Sequence, residues 1–403
     1  MYLYTRHISR NLNQTLKNNK SILLLGPRQV GKSTLIREVL SKKHHFDSIL
    51  LQNPALRIIY EKEPARLIQE YELANTADII YIDEIQKVPA LFDSIQYLID
   101  EHHKKFILTG SSARKLRRSH ANLLPGRLIL QHLDPLMWGE LGITIKNYIP
   151  EIGLPNIITK DNNFSLNDCM VYGSLPEVVS IPAPQRKQLL HSYSTIYLEE
   201  EIRAEAISRN LGLFSSFLQL AAYESGGNPN FTSLSNQTGI SVITVKEYYQ
   251  ILLDTLIIHQ LPPFIKNARK RIVKTPKYYF FDIGVKNAVA DIPLEANLTN
   301  IDRGSLFEHF VILEMFRRQN LKGDFKLYYW RTQSGLEVDL IIETNNKVIP
   351  IEIKSGKNIG LKDLSGLNTF LDDNKLEKGY VITTDQKPYK LSDRITVIPW
   401  TYL

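Results

Sequence analysis

Eight consecutive residues near the start of the chain, Gly26-Pro27-Arg28-Gln29-Val30-Gly31-Lys32-Ser33, have the types and spacing needed to grip a polyphosphate. Glycines let the backbone curl until its N–H groups face phosphate oxygens, a lysine neutralises the β- and γ-phosphates, and the following hydroxyl ligates magnesium. Gly26, Pro27, Arg28, Gln29, Val30, Gly31, Lys32, Ser33 and Thr34 are therefore the expected contacts of a nucleoside triphosphate. Further along, Ile79-Ile80-Tyr81-Ile82 runs into two acids, Asp83 and Glu84. Asp83 would complete the magnesium shell with Ser33, and Glu84 would orient or deprotonate the attacking water. Phe106-Ile107-Leu108 then delivers Thr109-Gly110-Ser111-Ser112, where Thr109 or Ser111 would sense the γ-phosphate. Hydrolysis also needs a cation against the charge that builds on the transferred group. Arg127 is the first candidate, with Arg28, Arg114, Arg117 and Arg118 behind it, and the donor could come from this chain or from a second copy.

A second group of reactive types lies near the C-terminus. Glu308 falls in a helical pattern, Asp339 in the strand-like Glu337-Val338-Asp339-Leu340-Ile341-Ile342, and Glu352 and Lys354 in Val348-Ile349-Pro350-Ile351-Glu352-Ile353-Lys354. Alternation along a strand puts Glu352 and Lys354 on one face, and the turn at Asn345-Asn346 folds Asp339 alongside them. Asp339 and Glu352 would share magnesium or manganese, which prefer oxygen ligands, while Lys354 would position water or stabilise charge on phosphorus. Glu337 and Arg331 would assist, or simply form a cross-strand ion pair.

These groups need elements to hold them. The run Ile22-Leu23-Leu24-Leu25 reads as a buried parallel strand, and Ser33 to Leu40 as an amphipathic helix, so the glycine loop sits between strand and helix. Between the two chemical regions, the polar stretch Lys160-Asp161-Asn162-Asn163 suggests a boundary, and helical patterns follow, including Leu189 to Arg203. Thr232 to Gly239 and Ser241 to Tyr249 read as a helix-turn-helix with Ser241 as N-cap. Strands at 256–261 and 278–281 would make a wing. Lys266, Arg269, Lys270, Arg271, Lys274 and Lys277 are six cations with no acid among them, which suits a wing tip on DNA phosphates, with Thr244 and Lys246 facing a groove.

Composition sets the background. The chain has 403 residues, a net charge of +7 and a sequence pI near 9.1, which favours an acidic partner such as nucleic acid. A single cysteine, Cys169, rules out an intramolecular disulfide framework and a cysteine zinc site. The N-terminal residues lack the apolar segment of a secretory signal and no apolar run reaches membrane-spanning length, so a cytoplasmic protein with no membrane partner is expected.

The phosphate loop in this form, Asp83-Glu84-Ile85-Gln86-Lys87-Val88-Pro89, Leu108-Thr109-Gly110-Ser111-Ser112 and Gly126-Arg127 resemble one family. It is the prokaryotic AAA-superfamily ATP-binding proteins with a C-terminal domain of long-unassigned function. Asp134-Pro135-Leu136-Met137-Trp138-Gly139-Glu140-Leu141, Tyr172-Gly173-Ser174-Leu175-Pro176-Glu177 and Tyr197-Leu198-Glu199-Glu200-Glu201-Ile202-Arg203 resemble further landmarks of that family. The C-terminal pattern, with Glu308 upstream and Gly366-Leu367 opening a later helix, looks like the PD-(D/E)xK nuclease fold.

The expected fold is α/β: a P-loop AAA-type ATPase domain over 1–150, a helical linker and winged-helix domain over 165–295, and a restriction-endonuclease-like α/β domain over 296–403. The expected function is ATP hydrolysis coupled to DNA binding and to metal-dependent DNA cleavage, with ATP and Mg2+ as cofactors, Mn2+ as an option at the second site, and a homo-oligomer as one way to complete the ATPase site. The alternative is an ATP-switched regulatory or scaffold protein whose C-terminal domain grips DNA or protein without cutting. A small-molecule kinase is disfavoured by the absence of an acceptor-pocket pattern.

Overall fold

The computed structural model describes residues 4–41, 45–72, 77–112, 124–157, 164–197, 211–265, 273–295, 297–356 and 359–403. The chain condenses into two units, one of residues 5–135 with 250–257, the other of residues 136–249 with 258–403 and the extreme N-terminus. Residues 136–150, expected with the ATPase domain, thus pack in the second unit. The reason is local: Leu136 N donates to Ser174 O, Arg317 donates to Leu136 O, and Trp138 stacks on Phe310. Among the described residues no helix is long and apolar enough to cross a membrane.

The first unit holds α1 (Ile8–Lys17), β1 (Ser21–Leu25), α2 (Lys32–Ser41), β2 (Phe46–Leu50), α3 (Pro54–Lys62), α4 (Arg66–Tyr71), β3 (Ile79–Asp83), α5 (Leu91–His102), β4 (Lys105–Gly110) and β5 (Leu128–His132). The five strands form one sheet in the order β2-β3-β4-β1-β5, every pair parallel. β1 and β3 are buried along their whole length, as expected for continuous apolar runs covered on both faces. Leu23, Leu25, Ile80, Ile82, Phe106 and Leu108 pack with Ile95 and Leu98 of α5 in one core. Parallel strands bring all their carboxyl ends to one edge, and that edge is where such sheets bind ligands.

In the second unit, α6 (Leu166–Tyr172) and α7 (Leu211–Tyr223) precede α8 (Phe231–Thr238) and α9 (Val242–Asp254), whose residues from Gln250 onward belong to the first unit. Ser241 Oγ accepts from Thr244 N at 3.1 Å, capping α9 as its sequence suggests. An antiparallel pair follows, β6 (Ile258–Leu261) with β7 (Lys277–Phe280), then α10 (Ile283–Val289) and the long α11 (Arg303–Lys322). The segment after β6 runs beside the next sheet, with Phe264 N donating to Tyr329 O at 2.7 Å and Tyr329 N to Pro262 O at 3.0 Å.

That sheet comprises β8 (Phe325–Arg331), β9 (Glu337–Thr344), β10 (Val348–Ile353), β11 (Gly379–Thr383), β12 (Tyr389–Lys390) and β13 (Ile395–Pro399), in the order β12-β13-β11-β10-β9-β8. β8, β9 and β10 form an antiparallel meander; β11 then joins β10 in parallel after the helical crossover α12 (Ser365–Asp373). Leu367, Phe370 and Leu371 of α12 pack on Val338, Ile341 and Val381. α11 is buried along most of its length, with Arg318 and Glu314 forming an interior ion pair at 3.0 Å. Glu314 also accepts from Trp138 N, and Arg318 donates to Ile152 O, so this buried pair is fully engaged.

Candidate functional site

The first site is assembled at the carboxyl edge of the parallel sheet. β1 ends at Leu25, the loop crosses from Gly26 to Gly31, and α2 starts at Lys32. A Cβ on Gly26 would stand 2.2 Å from Leu133 O, so only glycine lets the loop leave the strand beside the chain that follows β5. Gly31 turns with φ +93°, a conformation that L side chains resist. Lys32 folds over this loop, its Nζ donating to Gly26 O at 2.7 Å and Pro27 O at 2.8 Å. Arg28, Gln29 and Thr34 are partly exposed around it while Val30 is buried beneath.

Register explains the rest. Leu25 lies opposite Gly110 and Leu24 opposite Thr109 in β4, which itself pairs with β3. Asp83, the last residue of β3, therefore meets both neighbours: Ser33 Oγ donates to its Oδ2 at 3.0 Å and Thr109 Oγ1 to its Oδ1 at 2.5 Å. Glu84 follows in a left-handed conformation, φ +60°, which turns its carboxylate away from the strand direction. Gln86 Nε2 holds Glu84 Oε2 at 2.6 Å and reaches Ser111 Oγ at 3.1 Å. Ser33 and Asp83 are the pair that would hold a magnesium ion, and their direct hydrogen bond shows that the two oxygens share one space.

One expectation about the arginines changes. Arg127 precedes β5, and Leu128 is in register with Ser21 at the start of β1, so Arg127 lies at the opposite edge of the sheet from the loop. There it pairs with Asp100 at the end of α5, Nε to Oδ1 2.6 Å. Four residue steps of strand, roughly 13 Å, separate the two edges, and within this chain Arg127 does not reach the phosphate loop. Arg114, Arg117 and Arg118 lie outside the described residues. Arg6, which no motif singles out, is buried beneath the loop: Nη1 donates to Val30 O at 2.9 Å and Nη2 to Asp134 O at 2.5 Å. A lone arginine well upstream of a motif carries no local signal, because its partners are backbone carbonyls.

The second site lies at the end of the meander. Ile353 N donates to Asp339 Oδ2 at 2.7 Å, and Lys354 Nζ stands 2.7 Å from Glu352 Oε1. Asp339, Glu352 and Lys354 are thus brought together. The Asp339 carboxyl is held well above its ordinary range by burial, with Glu352 and Glu308 adding repulsion. Glu352 is raised as well, again chiefly by burial, with Lys354 opposing. Burial works against the Lys354 charge, yet the adjacent Glu352 keeps its ammonium above the usual value. Glu352 Oε2 is buried with no hydrogen-bond partner among the described residues.

Glu308 approaches from α11 but is already engaged. Lys277 Nζ lies 3.0 Å from its Oε1, and Tyr279 donates its hydroxyl to the same oxygen at 2.8 Å. Lys277 also meets Glu337 Oε1 at 2.6 Å, and Arg331 lies 3.5 Å from Glu337. This corrects the expected role of Lys277 as a solvated wing-tip cation: it is only 4% exposed and points into the acids. Lys274 is exposed, while Lys266, Arg269, Lys270 and Arg271 lie outside the described residues, as do Lys160 to Asn163 and Glu199 to Glu201. Among the described residues no three His, Cys, Asp or Glu side chains gather into a metal-ligand group. Two carboxylates, Asp339 and Glu352, are what remains, and the unpartnered Glu352 oxygen suits a divalent cation.

The parallel sheet, the glycine loop and the Ser33–Asp83–Thr109 contact define an AAA-type P-loop ATPase domain. Residues 18–142 match the family model described as an AAA domain; residues 163–296 and 303–403 match two domains of unknown function, DUF8612 and DUF4143. Across 406 aligned residues the chain is 25% identical to an uncharacterized protein of Mycobacterium tuberculosis and to one of Mycobacterium bovis, covering 99% of this chain and 84% of each relative. Among solved structures it is similar to a Walker-type ATPase of Pyrococcus abyssi, with TM-score 0.48, 15% identity, and coverage of 71% of this chain and 96% of that one. The Aeropyrum pernix ORC1 protein in complex with DNA matches with TM-score 0.33 and 16% identity over 74% of this chain and 95% of that one.

Proposed function

We propose that the protein hydrolyses ATP at the glycine loop and uses nucleotide state to govern a second site that cleaves DNA phosphodiester bonds. For the first half, Lys32 and the loop N–H groups would bind the phosphates, and Ser33 and Asp83 would hold magnesium, which neutralises charge on the phosphate oxygens when bound. Glu84, held by Gln86 and Ser111, would take a proton as water attacks the γ-phosphorus and the bond to the leaving diphosphate oxygen breaks. Thr109 links Asp83 to the end of β4, which supports a route for sensing loss of the γ-phosphate.

The observation that carries the second half is the convergence of Asp339, Glu352 and Lys354 at the end of the β8-β9-β10 meander, with α11 before it and the α12 crossover to parallel β11 after it. This order of helix, three antiparallel strands, helix and parallel strand supports a PD-(D/E)xK nuclease-like fold. Asp339 and Glu352 would hold a magnesium or manganese ion, which lends positive charge beside the scissile phosphate when bound. Lys354 would orient the attacking water and stabilise charge on the phosphorus oxygens.

DNA would lie against the winged-helix region formed by α8, α9 and the β6–β7 pair. A groove of about 390 Å3 there is lined by Asn228, Asn230, Thr232, Lys246 and Thr275 together with Pro229, Phe231 and Val242, and Lys246 gives it a cation of the kind that tracks phosphates. Asn228 also lies within 3.4 Å of Arg331, which lies beside Glu337, so the polar lining continues toward the acidic site.

A second reading is favoured by the engagement of Glu308 with Lys277 and Tyr279: an ATP-switched protein whose second domain grips DNA or protein without cutting. One experiment separates them. Plasmid, linear and single-stranded DNA are incubated with the purified protein in Mg2+ or Mn2+, with and without ATP, beside Lys354→Ala. Cleavage that disappears in the variant, with ATP turnover retained, supports the nuclease; intact DNA throughout leaves the non-cutting reading.

A further inference from the structure

Among the described residues, Lys277 is the lysine directed into the acidic cluster from outside the meander. It sits on β7, whose residues alternate, so Lys277 and Tyr279 share a face and both reach Glu308 Oε1. The strand is held by its full pairing with β6, in which Leu261 lies opposite Lys277. The chain before it is tied to β8 at two points, through Phe264 N to Tyr329 O and Val273 N to Arg331 O. The ammonium therefore sits on a paired strand with an anchored approach rather than reaching in on a loose arm.

Its surroundings are acids at short range. Glu308 Oε1 and Glu337 Oε1 lie 3.0 and 2.6 Å from Nζ, and Asp339 contributes further attraction. Burial disfavours the Lys277 charge, but Tyr279 and these acids outweigh it and hold its pKa well above the ordinary lysine value. Glu308 spends its Oε1 on Lys277 and Tyr279, and Glu337 divides itself between Lys277 and Arg331. Asp339 and Glu352 are not hydrogen-bonded to Lys277, and Glu352 keeps one buried oxygen without a partner.

We infer that Lys277 is a built-in counter-ion that fills the place of a second divalent cation, so that the cluster takes a single metal ion at Asp339 and Glu352. The inference rests on the metal-dependent reading of the second site and specifies its stoichiometry. A fixed positive charge between Glu308 and Glu337 repels a second cation and occupies the carboxylates that would ligate it. Asp339 and Glu352 would hold that one ion, which would lend positive charge beside a phosphate when bound, and Lys277 and Lys354 would supply the remaining positive charge.

The test is Mn2+ binding to the nucleotide-free full-length protein, counted by paramagnetic resonance of the free ion. Wild type should bind one ion that Asp339→Asn loses. Lys277→Met should bind one ion more than wild type, and Lys277→Arg, which keeps the charge, the wild-type number. Because Lys277→Met leaves neighbouring acids without their cation, its melting temperature in EDTA should fall and recover in Mn2+ by more than wild type gains. Two ions lost from wild type on Asp339→Asn, or equal stoichiometry and affinity in wild type and Lys277→Met, would overturn the counter-ion role alone. No ion lost on Asp339→Asn would remove the metal-dependent reading itself and this inference with it.

Discussion

Ser33 Oγ stands 3.0 Å from Asp83 Oδ2, a contact between residues 50 positions apart that joins the start of α2 to the end of β3. Glu84 comes next in sequence yet faces elsewhere, toward Gln86 and Ser111, because its backbone turns left-handed at φ +60°. The groups proposed to hold the metal and to activate water are thus adjacent in the chain and turned in different directions.

That separation predicts different losses from two substitutions. Lys32→Ala should abolish measurable nucleotide binding, since the ammonium over the loop is the main charge for the phosphates. Glu84→Gln keeps the shape and the contact with Gln86 but cannot accept a proton, so ATP affinity should stay within about threefold while turnover falls by roughly 10²-fold or more. Equilibrium titration with a fluorescent ATP analogue and a phosphate-release assay measure the two quantities. Equal loss of affinity in both variants would count against the division of roles.

The parts legible in the sequence were those whose signal is local. The apolar run before Gly26, the acids after Ile82 and the alternation around Glu352 each carry their own element, and the strands and helices lie within a few residues of where these patterns put them. Lys277 was misjudged because a run of cations looks solvated when read along the chain. Its burial depends on Glu308, 31 positions on, and on Glu337, which approaches from the neighbouring sheet. Arg127 follows a glycine turn, but register alone decides that it precedes β5 at the far edge rather than following it near the loop. Arg6 went unassigned because the partners shown for it, Val30 O and Asp134 O, are set by tertiary packing, and Gln86 because its contact with Ser111 is.

Arg6 is predicted to hold the phosphate loop in shape. Truncation in Arg6→Ala would leave Val30 O and Asp134 O, both served by the guanidinium, without that donor. The expected cost is about 2 to 3 kcal/mol of stability, as for buried groups that lose a charged partner. ATP affinity should weaken at least threefold, since Val30 belongs to the loop itself. Arg6→Lys, which cannot reach both carbonyls in one plane, should recover only part of either loss. Chemical denaturation and nucleotide titration of the same preparations check this; unchanged ATP affinity would confine Arg6 to a structural role.

Arg127→Ala tests where the hydrolytic cation comes from. Its pair with Asp100 is largely solvated, so the variant should melt within about 2 °C of wild type. At protein concentrations where the chain is monomeric, ATP turnover should be unchanged, because Arg127 lies at the edge of the sheet away from the loop. A loss of turnover that appears only as wild-type activity rises with protein concentration would instead assign Arg127 to the site of a neighbouring copy. Sedimentation velocity alongside the phosphate-release assay distinguishes the cases.

His309 makes the second unit acid-sensitive. It is 2% exposed on α11, with Nε2 3.0 Å from Phe280 O, and burial pushes its pKa down to about 3 despite that hydrogen bond. Nearby Lys286, His259 and Arg317 add positive charge that lowers it further. Above the ordinary histidine value near 6.5, folded and unfolded chains both carry it neutral and nothing is lost. Below that value only the unfolded chain takes the proton, so stability falls as pH drops toward the folded pKa, by roughly 2 kcal/mol at pH 5. Asp339 and Glu352 act with the opposite sign, since their raised values let the folded chain take up protons first, so the comparison must be with a variant. His309→Gln retains an N–H donor and removes the titration, and its stability between pH 7 and pH 5 should decline by roughly 2 kcal/mol less than wild type. Urea unfolding at the two pH values measures the difference, and parallel declines in both proteins would show that His309 is protonated without cost in the folded chain.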